Sequence, residues 1–207
     1  MEEMGLFEAM YSQRSFTRFR SDPVPKEAIA KIIEAATKAP TGGNSQPWEF
    51  IAITDPSVIS QVGNIYRDVW LGTLGAEPPP DEPPVYQAAR YLAHHMAEVP
   101  AMILVCVNHG VPSASTQGEP FVRGSRASSV WPAVQNLFLA ARALGLGTRL
   151  TTAHLWGEQR IKDILGIPDH VETVMLTPLG YPRGSFGATQ RRAAEEVTSY
   201  NRYGNRG

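Results

Sequence analysis

Between Pro25 and Ala39 the apolar residues Ile29, Ile32, Ile33 and Ala36 recur at helical spacing. Asp22 and Pro25 supply start signals and Pro40 a stop, so an amphipathic helix is predicted there. The run Trp48 to Thr54 is aromatic and β-branched, ends at Asp55-Pro56, and reads as a strand. Val58, Val62, Ile65 and Val69 resume a helical period, which stops where Ala76 to Pro84 packs five prolines into nine residues. A second helix is expected over Val85 to Ala97, a strand over Ala101 to Val107, and a Gly/Ser-rich loop from Asn108 to Gly124. The longest helical pattern runs from about Ser125 to Leu144, carries Val130, Val134, Leu137, Phe138 and Ala141, and halts at Gly145. Apolar on most sides, it belongs at the centre of the molecule. A strand near Thr148 to Thr152, a short helix near Glu158 to Leu165, a strand near Val171 to Leu179 and an irregular tail complete the reading. Strands alternating with helices indicate an α/β or α+β fold without internal repeats.

Composition sharpens this picture. A chain of 207 residues, 43% apolar and 19% charged, suits one domain with one sizeable core, stable without disulfides or a structural metal. Within residues 1–207 the stretch around 70–124 reads as a Pro-rich lid or excursion, and 183–207 as an extended tail. A net charge of −1 argues against a general attraction to nucleic acid or anionic membrane. The acidic start Met1-Glu2-Glu3-Met4 lacks the basic region of a secretory signal, and no apolar run approaches the length of a membrane span. Together with the lone Cys106, set in an apolar run, this fits a soluble protein of the reducing cytoplasm.

The commonest phosphate-loop, dinucleotide and zinc motifs are missing, and His94 and His95, adjacent on a helix, point about 100° apart and cannot share a metal. No metal site is expected. Four segments do carry chemistry. In Tyr11 to Phe19, Arg14, Ser15 and Arg18 could grip a phosphate by guanidinium forks and a hydroxyl, or could form a solvated face. In Pro40-Thr41-Gly42-Gly43-Asn44-Ser45-Gln46-Pro47-Trp48, glycines permit close approach to a flat ligand, and Asn44 and Gln46 offer paired donors and acceptors to a heterocycle edge. The third is Gln135-Asn136 through Gly145-Leu146-Gly147, and the fourth is Gly180-Tyr181-Pro182 followed by Arg191-Arg192 in a tail with five Arg against two Glu.

In this order and spacing, from about residue 5 to 197, the four segments resemble the FMN-dependent nitroreductase family. The resemblance implies a three-layer α/β fold with a central mixed β-sheet flanked by helices, and a homodimer with two FMN sites at its interface. Arg14, Ser15 and Arg18 would then lie at the FMN phosphate and ribityl chain, with Arg191 or Arg192 closing the pocket. Pro40, Thr41 and Gly42 would pack near the flavin ring from the other subunit, with Asn44 and Gln46 in its hydrogen-bond shell, and Thr151 and Thr152 would face the ring. Gln13 and Thr17 replace basic residues common in relatives, which leaves Arg18 to supply charge from the neighbouring position or the site weaker for it. The implied activity is passage of a hydride from NAD(P)H through FMN to a nitroaromatic or quinone in ping-pong fashion, with no catalytic side chain, since the flavin carries the chemistry. The same fold also accommodates specialised redox reactions (ene reduction, dehalogenation, flavin fragmentation) and a non-enzymatic flavin-binding role. Trp70, Tyr86 and Phe121 flank the loops that would cover the flavin, as determinants of acceptor choice or as ordinary packing.

Overall fold

The computed structural model describes residues 4–111 and 125–206; Phe121 and most of the Gly/Ser-rich loop lie outside the described residues. Helix α1 (Leu6–Ser12) leads through an extended segment to α2 (Lys26–Ala36), a 3₁₀ turn at Gly42–Asn44 and strand β1 (Trp48–Ile53). Helices α3 (Pro56–Leu74) and α4 (Pro84–His95) flank the proline run, and β2 (Ala101–Asn108), α5 (Ser125–Ala143), β3 (Gly147–Thr148), α6 (Glu158–Leu165), β4 (Val171–Gly180) and a four-residue α7 (Ala194–Val197) follow. Asp55 caps α3, its carboxylate accepting from the backbone N–H groups of Ser57 and Val58, while Pro56 occupies the first turn, where a missing N–H costs nothing.

The strands form one sheet in the order β1-β2-β4-β3. Where the resemblance implies a mixed sheet, all three ladders among the described residues are antiparallel, and there parallel pairing is confined to the bridge between Ser15 and Thr148. The strand expected over Thr148 to Thr152 is shorter than its pattern. The Arg149 N–H is taken by the Thr177 hydroxyl instead of a backbone carbonyl, so the ladder breaks and resumes as one bridge between Thr151 and Leu176.

The expected single core is divided by the sheet into two layers. Strand β2 is buried on both faces, and its alternation sends Ile103, Val105 and Val107 toward α2 and α5, and Met102, Leu104 and Cys106 toward α3, α4 and α6. The result is helix, sheet, helix, the three-layer arrangement the resemblance implies. Cys106 is buried, and its thiol is pushed up to about 12, by burial first and then by Glu49 and Glu158, so it stays protonated and inert.

Candidate functional site

The segment after α1 is extended because its backbone is recruited to the sheet edge. The Phe16 N–H donates to the Thr148 carbonyl at 2.9 Å and the Arg20 N–H to the Tyr181 carbonyl at 2.8 Å. Phe16 is buried edge-on against Phe186 at 4.9 Å, and Gly147 makes room for it: a β-carbon there would come within 2.9 Å of the Phe16 ring. This close approach is what the second glycine of Gly145-Leu146-Gly147 provides. Arg14 and Ser15 consequently stand at the rim of a cavity of about 580 Å³ whose other wall is Ala188, Thr189, Gln190 and Arg191. The tail is fixed there by the Thr189 N–H donating to the Tyr11 carbonyl at 3.1 Å.

Among the described residues neither Arg14 nor Arg191 forms an ion pair, and Arg191 donates only to the Gln190 carbonyl. Two such guanidiniums on one cavity, with hydroxyls from Ser15 and Thr189 beside them, form a donor-rich, acid-free site suited to an anion. Arg192 is committed elsewhere, donating to the Glu196 carboxylate at 3.2 Å and to its carbonyl at 3.1 Å. Of the arginine pair, it is Arg191 that joins Arg14.

Arg18 is not brought to this cavity. Four residues of extended chain carry it about 13 Å beyond Arg14, and its guanidinium lies 3.6 Å from the centre of the Tyr91 ring, in a separate cleft with Pro78, Pro79, Pro80 and His94. Thr17 faces yet another cleft, beside Phe19, Tyr91, His95 and Arg183. The charge missing at Gln13 and Thr17 is therefore not restored by Arg18.

Pro40, Thr41, Gly42, Asn44 and Gln46 form a mostly exposed loop, held by the Gly42 N–H donating to Ser129 Oγ of α5 and the Gln46 N–H donating to Thr41 Oγ1, each at 3.2 Å. The Gln46 amide in turn donates to Asn44 Oδ1 at 3.2 Å. Asn44 (φ 52°) and Gln46 (φ 47°) are both left-handed, a conformation disfavoured for residues with a β-carbon. Strain of this kind persists where the surroundings demand a particular loop shape. No hydrogen bond among the described residues joins this loop to Arg14, Ser15 or Arg191, and none of its residues lines the Arg14 cavity.

Thr151 and Thr152 line a second cavity, of about 360 Å³, together with Tyr66 and Trp70 from α3 and Arg149, Leu155 and Trp156. Thr151 is buried; its hydroxyl pairs with the Tyr66 hydroxyl at 2.9 Å and accepts from the Ala153 N–H at 3.3 Å, whereas Thr152 is exposed. Burial raises the Tyr66 phenol above its ordinary range, so it is neutral and available for this bond. The backbone bridge from Ser15 to Thr148 sets Ser15, in the first cavity's lining, beside the residue that precedes Arg149, in the second's.

Three features escape sequence reasoning. Arg149, beside the quoted Thr pair, could have been noticed by position, and Tyr66 by following the α3 period one residue past Ile65. Glu82 and Arg90 carried no signal, yet the Arg90 guanidinium grips the Glu82 carboxylate (2.6 Å from Nη2) and donates to the carbonyls of Gly75 (2.6 Å) and Ala76 (3.1 Å). Its hydrogen bond to the Glu82 carboxylate holds the Arg90 guanidinium above its usual range. This pins the proline run to α4, and Arg90 also faces the Trp70 ring at 5.1 Å. Of the aromatics that flank the loops, Trp70 is buried at the second cavity, whereas Tyr86 is half exposed.

The Nitroreductase family model matches residues 11–181. The chain is 28% identical to NADH dehydrogenase of Thermus thermophilus over 91% of this chain and 92% of that one. It is 29% identical to iodotyrosine deiodinase 1 of Rattus norvegicus over 91% of this chain, and spans 65% of that protein's length. It is also 28% identical to 5,6-dimethylbenzimidazole synthase of Rhodospirillum rubrum, over 86% of this chain and 82% of that one. Among solved structures, an iodotyrosine deiodinase bound to FMN and 3-iodo-L-tyrosine superposes with a TM-score of 0.77 at 22% identity, covering 96% of this chain and all of that one. A BluB-like flavoprotein from Clostridium difficile 630 gives 0.74 at 22% identity, with 96% and 100% covered, and these two likenesses speak to the fold. With its three-layer fold and a family match across most of its length, the chain belongs to the nitroreductase family.

Proposed function

We propose that the protein is an FMN-dependent oxidoreductase that passes a hydride from NAD(P)H to an electron-poor acceptor such as a nitroaromatic or a quinone, working as a homodimer. The observation that carries this reading is the acid-free cavity with Arg14 and Arg191 on opposite walls, joined through the Ser15–Thr148 bridge to Thr151 and Thr152. A phosphate fits those donors, and a flat heterocycle extending from it would lie along the edge toward the second cavity. When bound, FMN supplies the two-electron chemistry, accepting from the nicotinamide and delivering to the acceptor.

The side chains bind and orient. Arg14, Ser15 and Arg191 hold the phosphate, the Thr151–Thr152 segment faces the ring, and Trp70 walls off solvent on the side of α3. Leu6, Phe7, Tyr11, Val197 and Tyr200 leave apolar surface exposed on the single chain, as a subunit interface requires. Pairing would let Pro40, Thr41, Gly42, Asn44 and Gln46 approach the partner's cofactor, which gives their strained loop a purpose. Among the described residues no helix is long and apolar enough to cross a membrane.

The test is an absorbance spectrum of the protein loaded with FMN, followed anaerobically as NADH or NADPH is added. Bleaching of the flavin bands establishes the reductive half-reaction and names the donor. Bands that persist with both nucleotides refute the proposed donor, and failure to retain FMN refutes the site.

A further inference from the structure

Arg149 brings to the second cavity a charge that nothing else in that cavity answers. Its guanidinium is half buried and, among the described residues, it makes no ion pair and its side chain donates no hydrogen bond. No Asp or Glu lines the cavity; the walls are the rings of Tyr66, Trp70 and Trp156, the Leu155 side chain, and the Thr152 hydroxyl. Burial lowers the Arg149 guanidinium below its ordinary range, opposed by the Tyr66 phenol. A partly desolvated cation with free donors gains most from an anion that reaches it from the cavity. The space of about 360 Å³ suits one aromatic ring, and the exposed flanks of Leu155 (41%) and Trp156 (56%) leave the mouth open.

We propose that Arg149 selects acceptors that carry a carboxylate or phenolate on an aromatic ring, the anionic group meeting the guanidinium while the ring lies against the apolar wall. This rests on the oxidoreductase reading above and names the substrate class of that same site. It makes Arg149 a specificity residue that touches substrate.

The experiment compares 4-nitrobenzoate with its uncharged isostere 4-nitrobenzamide as acceptors for the FMN-loaded enzyme. In either case NAD(P)H and a proton reduce the nitro group to nitroso, releasing NAD(P)⁺ and water. The wild type is expected to favour the benzoate in kcat/KM. The ratio of benzoate to benzamide should fall by about tenfold or more in Arg149→Gln, mainly through KM, and be largely kept in Arg149→Lys, which retains the charge. Equal turnover of both compounds by the wild type, or an equal loss of both in Arg149→Gln, would overturn the proposal, the second outcome assigning Arg149 to the flavin or the fold. Calorimetric titration of benzoate into the wild type and Arg149→Gln needs no turnover and separates the two readings. Arg149-dependent binding by a protein that reduces neither nitroarene would sink the reductase and leave this site standing. Absence of benzoate binding to the wild type sinks the site.

Discussion

The two cavities on either side of the Ser15–Thr148 backbone bridge in the chain are built on opposite principles. The first is polar and exposed; Arg14 and Arg191 sit on extended chain and tail, and little packs upon them. The second is aromatic and anchored in the core, with Tyr66 and Trp70 buried on a long helix and Thr151 locked to the sheet edge. The first should therefore be sensitive to charge and indifferent for stability, whereas the second should couple any disturbance to the fold. A surface cation costs little stability to remove yet supplies much of an anion's binding, while removal of a buried side chain is felt by all its neighbours.

The largest expected effect breaks the first cavity. In the double variant Arg14→Ala, Arg191→Ala the loss of two charge-assisted contacts should raise the Kd for FMN by about 100-fold or more. The melting temperature of the FMN-free protein should hardly move. Flavin fluorescence quenching reads the affinity, and Arg192→Ala is the control, because Arg192 is already bound to Glu196. Equal effects of Arg191→Ala and Arg192→Ala would mean that the tail does not hold the arrangement seen here.

Next in size are two changes behind the second cavity. Glu82→Ala strands the Arg90 guanidinium, whose partner side chain is only 7% exposed, and frees the proline run. The melting temperature should fall by about 10 °C, measured by differential scanning calorimetry, with the Arg14 cavity untouched. His154 adds a pH dependence. It is fully buried with no hydrogen-bond partner for either ring nitrogen among the described residues. Burial pushes its imidazole down to about 4, against the opposing influence of Glu158 and the Thr151 backbone. Above pH 6.5 the ring is neutral in both states and the fold has its full stability. As the pH falls from about 6.5 toward 4 the unfolded chain takes up a proton that the native state refuses, so roughly 3 kcal/mol is lost across that window. His154→Phe should flatten the loss in urea titrations at pH 7 and pH 4.5; an unchanged slope would place the titrating group elsewhere.

The contrast also explains what the sequence could disclose. Helices and strands followed from local periodicity, and Arg14, Ser15 and the loop from Pro40 to Gln46 stood out because short runs of unusual residues announce themselves. Arg18 stands apart from Arg14 because four extended residues separate them, a distance no spacing rule supplies without knowing that the chain there follows a sheet edge. The choice between Arg191 and Arg192 depended on Glu196, one helical turn onward. Tyr66, Trp70, Arg149 and Trp156 converge from parts of the chain about 80 residues apart, and each is an ordinary core or turn residue in its own neighbourhood. The clamp from Glu82 to Arg90 is equally silent, since a charged pair eight residues apart across a proline run resembles solvated surface until its burial is seen.

The smallest effect tests the join between the two cavities. Tyr66→Phe keeps the ring that walls the second cavity and removes only the hydroxyl bonded to Thr151 Oγ1 at 2.9 Å. Thr151 still accepts from the Ala153 N–H at 3.3 Å, so its oxygen is not left wholly unsatisfied. The cost should be about 1 kcal/mol, a fall of about 3 °C in melting temperature for a chain of this length. Thr151→Val removes the same bond from the other side while nearly preserving volume. A double-mutant cycle with the two variants should return a coupling of about 1 kcal/mol, because each substitution deletes one shared interaction. A coupling near zero would show that Thr151 is held by the sheet bridge to Leu176 alone. The placement of Thr151 and Thr152 at the second cavity would then belong to the sheet edge that also positions Ser15, and the aromatic cavity would be a neighbour of that edge instead of its support.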